Sequence, residues 1–272
     1  MSSSDLTQKN IEELERQCAY LQEQLDQVKV EQANYLQNVS HQLVAPLNAI
    51  KWHIENLTEG RLSVERAKKV LRSIYSQSTI AVHLAKNFAL MSNLEEDHAL
   101  TALKEPLQPV SLCRLAINLA DDFQPLGWEK NIEIGVKKQD FEAAPEVLVM
   151  KPLISQVLSN IIENAVKYSH PESSIQISGH YDPASDMVLV NVGNRGIPLP
   201  ANTPDVFARG FRSNDAKNKY PAGTGFGLYI AKRIVDIHEG SISAQTTEHG
   251  TVVFTVALSV RGLQGKARLR DG

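Results

Sequence analysis

The sequence predicts a chain in two parts: a helical hairpin that forms a dimeric four-helix bundle with an N-terminal coiled coil, followed by an α/β sandwich. Three observations predict this fold class. Apolar residues recur at alternating steps of three and four from residue 11 to residue 39. A second amphipathic stretch follows a polar turn near residue 60. Beyond residue 110, helical and strand patterns are mixed, as in α/β domains.

The first element is a predicted coiled coil. Its seam has the heptad period, contains no Gly or Pro, and has charged and amide side chains on its flanks, which favours a coiled coil over a single surface helix. Gln32 occupies an inner position, where a polar residue fixes register at some cost in stability. The seam consists of Ile11, Leu14, Cys18, Leu21, Leu25, Val28, Gln32, Tyr35 and Val39.

The hairpin follows from two helix signals. We expect the first helix to continue past Pro46, with a local bend because proline removes one backbone hydrogen bond, and to end between Asn56 and Gly60. Ser63 should cap the second helix, since a serine hydroxyl can accept from a first-turn N–H. Two such hairpins would bury their apolar stripes as a four-helix bundle. The second stripe contains Val70, Ile74, Ala81, Leu84, Phe88 and Met91.

The remaining chain predicts helices and strands in alternation. Residues 103–110, which contain two prolines, are interpreted as a linker. Residues 195–224 are rich in Gly, Pro, Asn and Lys and are too long for an ordinary connection, which indicates a functional lid. Helices are predicted at 111–126, 152–168 and 227–238, and strands at 132–136, just before Pro152, and at 175–180, 187–192, 241–245 and 251–260. The expected domains are therefore 1–34, 35–104 and 105–260, with a frayed tail at 261–272.

Composition excludes several classes of protein. A charged share of 22% and a net charge of −3 give no basic stripe for a nucleic acid. The polar N-terminus and the lack of any apolar run near the ~18 residues of a membrane span predict no membrane contact by this segment and a cytoplasmic location, with tethering of a longer parent protein left open. Cys18 and Cys113 lack metal-ligand spacing and are assigned no role.

Four separated segments carry polar residues that suit a nucleotide. Asn160, Asn164 and Lys167 share one helix face; an Asn oxygen is a hard ligand for Mg²⁺, and a Lys ammonium suits a phosphate. Asn194 ends a strand, where its amide can read a purine edge. The segment 207–212 contributes two arginines. The glycine-rich segment 223–228 opens a helix, so its backbone amides can face an anion.

The order of these segments resembles the ATP-binding domain of bacterial sensor histidine kinases, within the superfamily shared with gyrase, Hsp90 and MutL. The resemblance extends from Tyr35 to Val260. It implies that Asn164 holds Mg²⁺, that Asn160 and Lys167 meet the phosphates of ATP, and that Tyr168 packs near the ribose or adenine. The further nucleotide contacts that it implies are Asn194, Gly196, Arg209, Arg212, Gly223, Thr224, Gly225, Gly227 and Leu228.

Two positions depart from this family in ways that bear on binding, and a third separates the branches of the superfamily. Asn194 replaces an Asp that reads the adenine amino group, although the Asn carbonyl can still accept that hydrogen bond. Pro198 replaces a common Gly and stiffens its turn. Asn160 stands where relatives that hydrolyse ATP have a basic Glu, and an amide cannot take a proton. The resemblance therefore implies that ATP is held for transfer to a side chain.

The phosphoacceptor is predicted from the segment Tyr35–Leu47, which resembles the histidine box of the same family and contains His41. Gln42 replaces the Glu or Asp that family members commonly carry; it can hold the ring tautomer but cannot act as a base, so we expect slower autophosphorylation. Ala45 replaces the Thr or Asn of relatives with phosphatase activity, so we expect that activity to be weak. The remaining histidines are interpreted as surface or core residues: His53, His83, His98, His170, His180, His238 and His249.

The resemblance implies a homodimeric sensor histidine kinase that uses Mg-ATP to phosphorylate His41, with Gln42 and Asn160 as neighbouring catalytic residues. A receiver domain of a response regulator would accept the phosphoryl group on an Asp, and a sensor domain is expected upstream or elsewhere. A non-catalytic, ATP-sensing dimeric scaffold is the alternative, motivated by Gln42, Ala45 and Asn194. A gyrase-like or Hsp90-like ATPase is a third reading, which the histidine box and Asn160 oppose.

Overall fold

The computed structural model describes residues 3–60, 62–94, 106–200, 205–220 and 223–262. The chain falls into two compact units, Met1–Gln42 and Leu43–Gly272. Residues 103–105 of the predicted linker, residues 201–204 and 221–222 of the predicted lid, and residues 263–272 of the predicted tail lie outside the described residues. None of the helices in the described ranges combines the length and apolarity needed to cross a bilayer.

Helix α1 (Ser3–Glu59) is a single α-helix that contains Pro46 and ends where the sequence predicts. Within the first unit, the seam residues Leu14, Leu21 and Leu25 are 60, 65 and 54% exposed. A single chain therefore leaves this part of the seam uncovered. The side chains of Ile11, Val28, Gln32 and Tyr35 lie outside the described residues, and the coiled coil and the four-helix bundle stay predictions.

Helix α2 (Val64–Leu94) begins as the cap predicts. The Ser63 hydroxyl accepts a hydrogen bond from the Arg66 backbone N–H at 3.4 Å, which satisfies one of the first-turn donors. The hairpin is also tied across its two helices, because a nitrogen of His53 lies 2.8 Å from the Ser73 hydroxyl.

A five-stranded sheet forms one layer of the second part of the chain. In spatial order its strands are β2 (Glu133–Val136), β4 (Ser174–Asp182), β5 (Met187–Arg195), β7 (Thr251–Ser259) and β6 (Ser241–Thr246). Strand β2 is parallel to β4, and the other neighbours are antiparallel. The strands alternate buried and less buried residues, so one face packs against helices.

Helices form the other layer and centre on one buried helix. These are α3 (Leu112–Trp128), α4 (Lys151–Tyr168) and α6 (Gly227–Ile237). Helix α4 packs against α3 and α6, and α2 contacts all three. Because α4 is covered on most sides, its few polar side chains must find partners or ligands. The α/β sandwich is thus confirmed.

Two elements within this part of the chain were not predicted. The predicted linker ends in a short strand, β1 (Gln108–Val110), which pairs antiparallel with β3 (Val147–Val149). A two-stranded ladder tolerates Pro109 because few of its backbone positions must donate. The predicted lid also contains a short helix, α5 (Asn214–Lys219), whose first turn is capped by the Ser213 hydroxyl, which accepts from the Ala216 N–H at 3.2 Å.

Candidate nucleotide and phosphotransfer site

The C-terminal half of α4 carries the predicted phosphate and metal ligands. Asn160 is 1% exposed, whereas Asn164 and Lys167 are half-buried. The start of α6 lies directly beside Asn160, because a β-carbon built on Gly227 would lie 3.3 Å from Asn160 Oδ1. The first and the last of the four predicted segments therefore meet, with the N-terminus of a helix facing a buried amide.

The glycine-rich segment also packs against the arginine segment, backbone to backbone. Gly225 has a φ of +74°, and a β-carbon there would lie 2.7 Å from the carbonyl carbon of Gly210, so no other residue fits without strain. The Arg209 guanidinium carbon lies 5.8 Å from the centre of the Phe226 ring. The Thr224 hydroxyl accepts from the Phe226 N–H at 3.3 Å.

The end of β5 meets the end of α4. A β-carbon on Gly196 would lie 2.2 Å from the Tyr168 carbonyl oxygen, so only glycine allows this approach. The Ile197 N–H donates to that same oxygen at 3.1 Å. Asn194 is buried, and its Nδ2 donates to the Ser169 hydroxyl at 3.2 Å. That bond uses the nitrogen of the amide, and the predicted adenine contact uses its oxygen.

Arg212 lies inside the segment 195–224, which is predicted to be a functional lid and which we call the lid. Its guanidinium donates to the Gly223 carbonyl at 2.8 Å, to the Ala216 carbonyl at 3.0 Å and to the Tyr220 carbonyl. These bonds close the C-terminal end of α5 and join it to the glycine-rich segment. Its predicted contact with the nucleotide stays a prediction, as do those of Gly223 and Leu228.

Two lysines hold the lid against the C-terminal end of α4. Lys130 Nζ donates to the Val166 carbonyl at 3.0 Å, to the Lys167 carbonyl at 2.9 Å and to the Tyr220 hydroxyl. Lys219 donates to the Tyr168 and Ser169 carbonyls at 3.3 and 3.2 Å. The Tyr220 ring meets the Tyr168 ring edge-on, with centres 5.8 Å apart. Burial, and then repulsion from Lys167, lowers the pKa of Lys130.

A buried polar cluster that the sequence did not predict joins α2 to α4. Gln156 Nε2 lies 2.9 Å from His83 Nδ1 and donates to Asn87 Oδ1 at 2.9 Å. Asn87 Nδ2 donates to Asn160 Oδ1 at 2.8 Å, and His83 Nε2 lies 2.9 Å from a Glu163 carboxylate oxygen. Helical spacing within each helix is a signal that could have suggested the cluster, but the pairing depends on the tertiary fold. We call these five residues the polar relay.

Glu163 connects the polar relay to Lys167, whose Nζ lies 2.6 Å from the carboxylate. Burial acts to raise the pKa of Glu163, but attraction to Lys167 and the hydrogen bond from His83 outweigh it and hold that pKa well below its usual range. Burial acts to lower the pKa of Lys167, and Glu163 outweighs it, so that pKa is raised. Both side chains are therefore charged at neutral pH.

His41 lies on an exposed part of α1 in the first unit. Gln42 is half-buried, and Ala45, in the second unit, is exposed. Exposure leaves the His41 imidazole open to a partner.

The chain is similar to known kinases and ATPases. Residues 151–262 match the family described as histidine kinase-, DNA gyrase B-, and HSP90-like ATPase. The chain is 30% identical over 240 residues to the sensor histidine kinase WalK of Bacillus subtilis, an alignment that spans 86% of this chain and 38% of that protein. It is 27% identical over 235 residues to the sensor protein kinase WalK of Staphylococcus aureus, spanning 84% of this chain and 54% of that protein. The chain thus spans about half or less of these relatives' lengths.

Solved structures show the same fold. The histidine kinase AdeS of Acinetobacter baumannii superposes with a TM-score of 0.50 and 19% identity, covering 81% of this chain and 98% of that one. Full-length ShkA in complex with AMPPNP gives a TM-score of 0.52 and 22% identity, covering 84% of this chain and 46% of that one.

Proposed function

We propose that this chain, which carries the catalytic core of a two-component sensor histidine kinase, transfers the γ-phosphoryl group of ATP to His41 and then to an Asp of a response-regulator receiver. One observation gives the main support for an ATP site. Asn160 Nδ2 is buried and has no hydrogen-bond partner among the residues that the structure describes. A buried amide donor left without a protein acceptor is costly, and a phosphate oxygen would satisfy it.

The surrounding residues fit a magnesium-bound triphosphate. Lys167 would contribute a charged donor, and Asn164, half-buried one turn after Asn160, would offer its amide oxygen to Mg²⁺. Bound Mg²⁺ would neutralise charge on the phosphate oxygens. Asn160 cannot act as a base, which favours transfer to a side chain over hydrolysis by water.

The acceptor step uses the neutral imidazole of His41. Its ring nitrogen would attack the γ-phosphorus in line as the bond to the bridging oxygen of ADP breaks, and the ring then loses its other proton. Gln42 would hold the ring tautomer without accepting that proton, so we propose slow autophosphorylation. At Ala45 a methyl group cannot orient a water molecule, so we propose a weak phosphatase activity.

The proposed partners are a second copy of the chain and a receiver domain. The uncovered residues of the coiled-coil seam support a homodimer. Both WalK relatives are sensor kinases, which supports a receiver partner and an upstream sensor.

The test is incubation of the chain with γ-labelled ATP and Mg²⁺ beside His41→Ala. We expect acid-labile, alkali-stable label in the chain and none in the variant. Free phosphate without label would indicate an ATPase, and nucleotide binding without either would indicate the scaffold. Gln42→Glu should label faster; an unchanged rate would refute the role given to Gln42, and rapid dephosphorylation of a phosphorylated receiver would refute the role given to Ala45.

A further inference from the structure

The hydrogen bonds of the polar relay all have a defined donor and a defined acceptor. Gln156 Nε2 is a donor, so His83 Nδ1 must accept. A neutral imidazole has one acceptor nitrogen, so Nε2 carries the hydrogen and donates it to Glu163. Asn87 Nδ2 also lies 3.3 Å from that Nε2, but a nitrogen that carries a hydrogen cannot accept from it. Gln156 at Nδ1 and Glu163 at Nε2 therefore both favour the same tautomer of His83.

The defined donors and acceptors continue to the nucleotide site. The Asn87 oxygen accepts from Gln156, so the Asn87 nitrogen is the group that faces Asn160. It donates to Asn160 Oδ1 at 2.8 Å. That bond occupies the oxygen of the Asn160 amide and leaves Nδ2, the buried donor without a described partner, for an acceptor. If the amide of Asn160 were rotated, two nitrogen donors would face each other.

We propose that Asn87 is a positioning residue for nucleotide binding: from α2, it fixes the Asn160 amide so that its N–H donor points at a phosphate of ATP. The inference rests on the proposed ATP site. Gln156 and His83 hold Asn87 in the orientation that this requires. Without Asn87, the Asn160 amide could turn its oxygen toward the phosphate, where two acceptors repel.

The test measures Mg-ATP and adenosine affinity by calorimetry in the full chain. Asn87→Leu, similar in size but unable to donate, should weaken Mg-ATP binding about fivefold to tenfold, the effect of one neutral hydrogen bond. Adenosine has no phosphate, so its affinity should be unchanged. In an Asn160→Ala background, Asn87→Leu should have no further effect, because the amide that it orients is gone.

Asn87→Asp is the second variant, nearly identical in shape. A carboxylate forces Asn160 to donate to it, which turns the Asn160 oxygen to the phosphate, so the loss should exceed that of Asn87→Leu. The loss of Mg-ATP affinity that Asn87→Asp still causes in an Asn160→Ala background is due to charge repulsion alone. Asn118→Asp, at an exposed position on α3, makes the same charge change and should leave binding near wild type.

The outcomes distinguish a failure of the proposed ATP site from a failure of the positioning role of Asn87. If the wild-type chain fails to bind Mg-ATP, the proposed function is wrong. If it binds and Asn87→Leu binds equally well or more tightly, the α2 contact is neutral or blocks the site, and the positioning role is wrong. Full additivity of Asn87→Leu with Asn160→Ala would overturn it as well.

Discussion

His238 ties the C-terminus of α6 to the N-terminus of α4. Its Nδ1 lies 2.8 Å from the Ile234 carbonyl, and its Nε2 accepts from the Met150 N–H at 3.1 Å. Nδ1 must therefore carry the hydrogen, and the ring is neutral in this arrangement. Burial lowers the pKa of His238. One neutral side chain thus satisfies a backbone donor where α4 begins.

We predict that His238 makes the free energy of unfolding depend on pH. Because its folded-state pKa lies below the unfolded value near 6.5, the unfolded chain binds the proton first, and stability falls as pH drops from about 6.5 toward the folded pKa. The slope is at most about 1.4 kcal/mol per pH unit. His238→Gln keeps an acceptor and a donor but does not titrate, so its urea midpoint should fall less between pH 7.5 and 5.5. Equal falls in both proteins would contradict the prediction.

At the residue scale, the sequence predicted those site residues whose motif lies within one segment of the chain. Asn160, Gly225 and Gly227 were identified from local motifs, and the structure brings their segments together. Asn87 and Glu163 were not, because their roles depend on partners in other helices or on burial. Asn87 lies 73 residues from Asn160 in sequence, and one sequence does not show that pairing.

The lid helix α5 is too short to be stable alone, so its contacts must hold it. Arg212 closes its C-terminal carbonyls, and Lys219 and Tyr220 attach it to the end of α4. The end of α4 carries the negative pole of the helix, which favours Lys130 and Lys219 there. The position of the lid is therefore tied to the turn that carries Lys167.

We predict that Tyr220→Phe loosens the lid without unfolding the domain. The variant keeps the ring contact with Tyr168 but loses the hydroxyl that accepts from Lys130, a charge-assisted hydrogen bond worth about 1.5 kcal/mol or more. Tryptic cleavage after Lys217 or Lys219 should accelerate about tenfold if the lid opens locally. Tyr181→Phe, which removes a hydroxyl that donates to Asp186 in the β4–β5 hairpin, is the control. Equal cleavage rates in the two variants would contradict the prediction.

Elements with strong local signals were predictable. The Ser63 cap identified the start of α2 correctly, and the predicted starts at Ser111 and Pro152 lie within one residue of those of α3 and α4. Strand β1 was missed because two prolines suggested a linker, and pairing with β3 is a tertiary property. Helix α5 was missed because six residues rich in Lys and Asn lack a periodic apolar pattern.

At the scale of the whole molecule, the helical hairpin has exposed apolar side chains that the proposed homodimer would cover. In the second unit, one face of α2 packs on α3, α4 and α6. Leu47, Ile54, Leu71 and Val82 remain 54, 48, 56 and 54% exposed. A four-helix bundle would cover such side chains, and a coiled coil would cover the seam of the first unit.

We predict that Leu21→Glu combined with Leu25→Glu weakens the dimer. Like charges at facing seam positions would repel and lose the buried leucine contacts, each worth about 1.5–3 kcal/mol. Light scattering should give twice the chain mass for wild type and shift toward one chain for the variant. Gln24→Glu, a single charge change off the seam, should keep the wild-type mass. A variant that retains the full dimer mass would show that the seam does not hold the two chains together.

The polar relay also has a thermodynamic consequence. If the docking of α2 strengthens ATP binding through Asn87 and Asn160, linkage requires that ATP strengthens the docking of α2 by the same free energy. Binding of the nucleotide would then stabilise the docked position of α2 in the helical hairpin. Any signal that displaces α2 would lower the affinity for ATP. ATP occupancy and the position of α2 would therefore change together, because both depend on the same docking equilibrium.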